Sequence, residues 1–196
     1  MPDVKPIFNK VIYDGDTLID ITDTTATESD VLAGQTFYKA NGTKGVGTLV
    51  LPVPNIITVK LTSDYSIATA NTVEQITTTG LHNSTGTKLT YNTTTKKIVV
   101  GSGVSKVKVS YSVKCVASAS TTRTFIYLVH NSTQISQEGA YFRNTNDQVY
   151  VGNTPKLLDV QEGDTFYLQC YGAKNNKIAY GSSNYVCSYI TVEVVE

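Results

Sequence analysis

From residue 106 to residue 116 the chain alternates strictly, and this stretch limits the possible folds more than any other. Val107, Val109, Tyr111, Val113 and Cys115 fall in one phase, and Lys106, Lys108, Ser110, Ser112 and Lys114 in the other. A period of two sends successive side chains to opposite faces of a strand, so one face is core and the other is wet. The run Phe125-Ile126-Tyr127-Leu128-Val129 is apolar in both phases and needs cover on both sides. That cover is either a second subunit seated on Phe125, Tyr127 and Val129 or a loop of the same chain. Further short strand patterns at 57–61, 72–78, 97–100, 124–130, 139–144, 148–151, 165–171 and 187–195 are separated by Gly, Asn, Ser and Thr clusters, the spacing of an antiparallel sandwich. The 29 Thr and 13 Tyr agree, since β-branched and aromatic residues favour strands. The expected fold is all-β.

The first 50 residues have a different texture. Residues 10–20 read as an extended stretch with a turn at Asp14-Gly15-Asp16. Thr27 is placed to cap a short helix starting at Glu28, with Asp30 in its first turn and Gly34 as a left-handed stop. Asn41-Gly42 then suits a hairpin turn. Two prolines in Leu51-Pro52-Val53-Pro54-Asn55 stiffen the connection. The predicted organisation is an N-terminal module over 1–50 with one short helix, a linker over 51–55 and a head over 56–196.

Lys plus Arg and Asp plus Glu both number 16, which argues against a nucleic-acid binder held by bulk charge. No apolar run is long enough to span a membrane as a helix, and residues 1–10 lack the basic and apolar regions of a secretory signal, so neither is expected. Charge is nevertheless uneven. Lys88, Lys96, Lys97, Lys106, Lys108, Lys114 and Arg123 lie between Gln75 and Gln137 with no acid among them. They form either a basic surface that steers an anionic partner or a set of solvated strand faces. Cys115 and Cys170 share the phase of apolar neighbours and Cys187 does not; all three are read as reduced.

Chemistry is sparse. Two histidines and no Cys-x-x-Cys pair make a metal centre unexpected, and no phosphate loop or dinucleotide fingerprint occurs, so no cofactor is expected. His82-Asn83-Ser84-Thr85 and His130-Asn131-Ser132-Thr133 repeat a tetrapeptide in which a Ser/His pair could be imagined, but both read as turns at strand ends. Asp164, after Gly163, reads as a turn carboxylate accepting backbone N–H groups. The four N-x-[ST] sequons are what a chain this rich in Asn, Ser and Thr produces by chance. No enzyme is expected.

Two stretches resemble known families. Asn9-Lys10-Val11-Ile12-Tyr13-Asp14-Gly15-Asp16-Thr17-Leu18-Ile19-Asp20, then Val31-Leu32-Ala33-Gly34-Gln35-Thr36, then Asn41-Gly42-Thr43-Lys44-Gly45-Val46-Gly47-Thr48 together resemble an N-terminal module of tailed-phage virion proteins. In the head, Lys97-Ile98-Val99-Val100-Gly101-Ser102-Gly103, the 125–135 stretch with Ser132 in place of the usual Gly, the 158–168 stretch around Gly163-Asp164, and 189–194 resemble the jelly-roll of C1q/TNF-like trimers. No collagen-like or coiled stalk accompanies them. The resemblance implies a homotrimeric fibre or receptor-binding head on the virion surface. Its N-terminal module would contact other virion proteins, and its head would bind a host cell-wall glycan or teichoic acid. The alternative is a capsid head-fibre or decoration protein without a dedicated receptor.

Loops at one end of a sandwich are the usual place for recognition, and tyrosines suit sugar faces. The longest polar loop of the head supplies the candidate receptor residues Lys174, Asn175, Asn176, Lys177, Tyr180, Asn184 and Tyr185. Phe125, Tyr127 and Val129 are the candidate trimer seam.

Overall fold

The computed structural model describes residues 10–14, 16–182, 185, 186 and 188–196. The chain divides into two compact units, Met1–Pro52 and Val53–Glu196.

The first unit contains two small hairpins. Strands β1 (Lys10–Tyr13) and β2 (Asp16–Asp20) pair antiparallel, with Asp14 at a positive φ in the turn and the Lys10 ammonium 2.8 Å from the Asp20 carboxylate. Strands β3 (Thr36–Tyr38) and β4 (Lys44–Val46) pair around a turn in which Gly42 takes a φ of +79°. The expected helix is a single 3-10 turn, Glu28–Asp30, with the Asp30 carboxylate accepting the Thr27 N–H at 2.8 Å. It ends well before Gly34 because the neighbouring carbonyls are already engaged. Those of Glu28 and Val31 accept the N–H groups of Thr48 and Leu49, and Leu32 bridges Leu49. A side chain at Gly47 would strike the Val31 and Leu32 carbonyls.

The second unit is a two-sheet sandwich. Its strands are β5 (Ile56–Leu61), β6 (Tyr65–Ser66), β7 (Glu74–Gln75), β8 (Thr79–Thr85), β9 (Leu89–Asn92), β10 (Lys97–Val100), β11 (Lys106–Val116), β12 (Arg123–His130), β13 (Thr133–Tyr141), β14 (Gln148–Gly152), β15 (Lys156–Asp159), β16 (Thr165–Gly172), β17 (Lys177–Ile178), β18 (Gly181–Ser182), β19 (Tyr185–Val186) and β20 (Tyr189–Val194). One sheet runs β13-β12-β16-β10-β9, with β7 added beside β16; the other runs β6-β17-β11-β20-β5-β8, with β14 and β15 added beside β11. Every pairing is antiparallel. The long alternating strand β11 carries β20 and β17 along one edge and β15 and β14 along the other.

The core lies between the sheets. Val107, Val109, Val113 and Cys115 of β11, Ile57 and Val59 of β5, and Val192 of β20 face Ile98 of β10, Ile126 and Leu128 of β12, and Phe166 and Cys170 of β16, all essentially without exposure. Each such aliphatic side chain stabilises the fold by about 1.5–3 kcal/mol relative to an exposed one. Cys115 and Cys170 are free and buried; Cys187 lies outside the described residues. Three expectations change. The 72–78 pattern shortens to the two residues of β7. His82-Asn83-Ser84-Thr85 is not a turn but part of β8, held extended by pairing with β5 across a bulge. The 139–144 pattern is the end of β13, which starts at Thr133, so β12 and β13 form a long hairpin around Asn131-Ser132.

Candidate functional site

At one end of the sandwich a cleft of about 560 Å³ opens between the start of β12, the end of β13, the β16–β17 turn and the loop before β7. Phe142, nearly fully buried, sits at its base, and Arg123, Lys174, Tyr141, Asn71 and Thr121 line it. None of its described lining residues carries a carboxylate. Arg123 and Lys174 are exposed, and neither is in a salt bridge among the described residues. Tyr141 is 67% exposed, and its ring meets Phe125 edge-on at 5.9 Å. The Arg123 guanidinium lies 5.5 Å over the Phe125 ring.

The walls are fixed by backbone bonds. Asn71 N–H donates to the Gly172 carbonyl at 2.9 Å, and Phe142 N–H to that of Thr122 at 2.9 Å. Glu74 pins the loop preceding the cleft by accepting Ala68 N–H, Thr69 N–H and the Tyr65 hydroxyl. Burial alone would raise the Glu74 pKa, but these donors outweigh it and hold the group below the usual range.

The structure separates the predicted receptor residues. Lys174 is exposed and lines the cleft. Asn175 is exposed at a φ of +67°, in the turn that follows. Asn176 is the clear correction. It is 0% exposed, so no ligand can reach it. Its Oδ1 accepts Ser118 N–H and the Ser118 hydroxyl at 2.9 Å each, and its Nδ2 donates to Thr124 Oγ1 at 3.0 Å and to the Arg123 carbonyl at 3.2 Å. Lys177 is exposed on β17, paired with Val116 and Ser66, outside the lining of the cleft. Tyr180 packs against the core, and its N–H is held by Asp64. Tyr185 belongs by its backbone to β19, and Asn184 lies outside the described residues. The sequence marks Tyr141 as a tyrosine in polar surroundings suited to a sugar face and Arg123 only as part of the basic stretch, whereas Asn71 carries no signal; tertiary pairing alone brings the three to one cleft.

Phe125, Tyr127 and Val129 do share the outer face of β12, where they cluster with Tyr167 and Tyr171. Val129 is 0% exposed and Tyr127 9%, so the chain covers them itself and Val129 has no surface left for a subunit seam. Gln134 and Gln169, on the strands either side of β12, hydrogen-bond to each other at 3.2 Å, and the Lys97 ammonium sits 4.3 Å over the Tyr167 ring. The basic stretch resolves likewise into separate faces. Lys106 and Lys108 pair with Glu196 and Glu193 on the β11 sheet, whereas Lys97 belongs to the opposite sheet.

His130 and Asp164 come together as a strap between turns. His130 Nε2 is 2.9 Å from Asp164 Oδ2, which also accepts Gln161 N–H; Asn131 Nδ2 donates to Asp164 Oδ1 at 2.8 Å; and Asn131 Oδ1 accepts Thr165 N–H. The His130 ring stacks on Phe166 at 4.7 Å. Burial raises the Asp164 pKa, but Asn131, Gln161 N–H and His130 together lower it below the ordinary value. This ties the β12–β13 turn to the turn entering β16. Among the described residues, no three His, Cys, Asp or Glu side chains are grouped to hold a metal ion.

The fold can be placed by comparison. The solved structure of the Eiger TNF from S. frugiperda matches with a TM-score of 0.57 at 9% identity, over 74% of this chain and 94% of that one. The fold is a TNF-like jelly roll. No protein-family model matches the chain, and no curated protein matches it in sequence.

Proposed function

We propose that this protein is a non-enzymatic component of a tailed-phage particle, displayed on the virion surface as a homotrimer and attaching it to a host cell-surface glycan. In this reading the N-terminal unit contacts other virion proteins and the jelly-roll head meets the host. The observation that carries it is the pairing of a TNF-like head with a separate small unit whose sequence resembles virion modules. The open cleft at one end of the head, with its exposed ring and two cations, supports a weak polar binding site. Repetition over three heads and many trimers turns weak sites into firm attachment.

The trimer seam moves from the outer face of β12 to the outer face of the β11 sheet. There Leu157, 63% exposed, stands opposite Lys108, and Tyr150, also exposed, stands opposite Lys114. Light scattering on the purified full chain tests this reading. The expected mass is three times the 21.2 kDa chain, falling to a monomer in Leu157→Glu. A wild-type monomer at micromolar concentration refutes the trimer. A trimer that binds no glycan on an array refutes host attachment and leaves a capsid decoration role.

A further inference from the structure

Arg123 and Lys174 converge on one cleft whose described lining residues include no carboxylate. Four other cations of the head are neutralised or held against neighbouring groups. Lys106 and Lys108 pair with glutamates, Lys88 donates to the Ser102 carbonyl, and Lys97 covers Tyr167. The nearby acid that could have competed, Glu74, spends its oxygens on two backbone N–H groups and the Tyr65 hydroxyl. Neither cation of the cleft is in a salt bridge among the described residues, so an anion entering it displaces no ion-pair partner there.

We propose that the cleft binds an anionic saccharide, a sugar unit carrying a phosphate or carboxylate group, with the anion held between Arg123 and Lys174 and the sugar ring against Tyr141. This rests on the glycan-attachment reading and narrows it to a ligand class and a site. A guanidinium offers a planar pair of donors matched to the two oxygens of a carboxylate or phosphate, and the ammonium adds a point charge. Arg123 is partly pre-positioned by its contact with the Phe125 ring. Tyr141 presents an exposed amphipathic ring propped edge-on by Phe125, suited to a sugar's apolar face. Asn71 Oδ1 already accepts the Tyr171 hydroxyl, which leaves its amide N–H groups for sugar hydroxyls. The volume of about 560 Å³ falls within the few hundred to about a thousand Å³ of small-ligand sites and accommodates one or two sugar units.

The test titrates the full-length protein with glucose 1-phosphate, glucuronic acid, methyl glucoside and inorganic phosphate by isothermal calorimetry. The wild type, Arg123→Gln, Lys174→Gln and Tyr141→Ala are compared, with thermal melts confirming that each variant folds. Glucose 1-phosphate or glucuronic acid is expected to bind at least ten-fold more tightly than methyl glucoside or inorganic phosphate. Their relative strength tells phosphate from carboxylate. Each cation variant should weaken that binding five-fold or more, and Tyr141→Ala should weaken the charged sugar but not phosphate. Equal binding of methyl glucoside, or charged-sugar binding unaffected by both cation variants, overturns the proposal. A neutral glycan captured on an array by the wild type and by both cation variants also overturns it while leaving host attachment standing. Failure of every glycan to bind the wild type overturns both.

Discussion

Replacing Asn176 with alanine separates a structural role from a ligand-contacting one. The side chain is wholly enclosed and makes four hydrogen bonds of 3.2 Å or less to Ser118, Arg123 and Thr124, with longer contacts to the Thr122 hydroxyl, which also donates to the Ala119 carbonyl. In Asn176→Ala the Arg123 carbonyl keeps the Ala173 N–H, and the Ser118 hydroxyl keeps the Lys174 carbonyl. Ser118 N–H and the fully buried Thr124 hydroxyl lose the partners described above. Leaving a buried polar group unpaired costs about 1–3 kcal/mol, so two give roughly 2–6, and a central expectation of about 4 kcal/mol. Against the ~5–15 kcal/mol of a typical domain, that is a large share. With a urea slope of about 2 kcal/mol per molar, the midpoint should fall by about 2 M at unchanged slope. The assay is urea unfolding followed by circular dichroism at fixed protein concentration, because an assembly's stability depends on concentration. Asn176→Asp should be no better, since it keeps the acceptor but removes both donors and places a charge in the interior. A midpoint shift equivalent to less than about 1 kcal/mol in Asn176→Ala would refute the reasoning and return Asn176 to the surface role its sequence context suggests.

Asp164→Asn should destabilise the head by about 1–3 kcal/mol at neutral pH, because an amide cannot accept from His130, Gln161 and Asn131 together. The Asp164 pKa is lowered in the folded state, so its contribution is present above the ordinary aspartate value and is lost as pH falls through the folded one. Melting temperatures of the variant should therefore converge on the wild type in acid, and a constant gap down to pH 2 would count against this. Burial pushes the Cys170 thiol up to about 12 and Cys115 higher still, so neither should react with iodoacetamide at pH 8 until the protein unfolds. Peptide mapping after native alkylation reads this directly, and rapid labelling of either residue would contradict it. Gly172→Ala should cost more than Gly163→Ala. A Cβ at 172 would lie 2.6 Å from the Arg123 carbonyl oxygen, whereas position 163 is open and adds only the strain of its φ of +89°, about 1–2 kcal/mol. Melts in the reverse order would refute the comparison.

The strands that could be read directly were those whose pattern is settled within the strand itself. The strands at 97–100 and 106–116 coincide with β10 and β11, because a half-buried strand writes its two faces into alternate residues. Strand β8 could not be read this way. It is an edge strand, largely exposed over Leu81–Thr85, and its polar run is extended only because β5 supplies hydrogen-bonding partners. The doubly apolar pattern of β12 correctly demanded cover on its outer face. Which atoms supply the cover was not local information, because Tyr167, Tyr171 and Gln169 come from β16, some 40 residues further along the chain.

The candidate site shows the same division at the scale of single residues. Lys174, Asn175 and Asn176 are three consecutive polar residues of one loop, and composition treats them alike. The turn distributes them differently: Lys174 to the cleft, Asn175 to a left-handed corner, and Asn176 inward to partners more than 50 residues away. The inward asparagine ties the 118 loop and the Arg123 backbone to the turn that carries Lys174, which fixes the main chain bearing both cations of the cleft. Burial of one polar side chain thus positions two charged ones, and positive charge on a fixed frame is suited to receiving an anion without reorganisation. Loss of Asn176 should therefore weaken charged-sugar binding even in the fraction that stays folded, by loosening the frame and not by removing a contact.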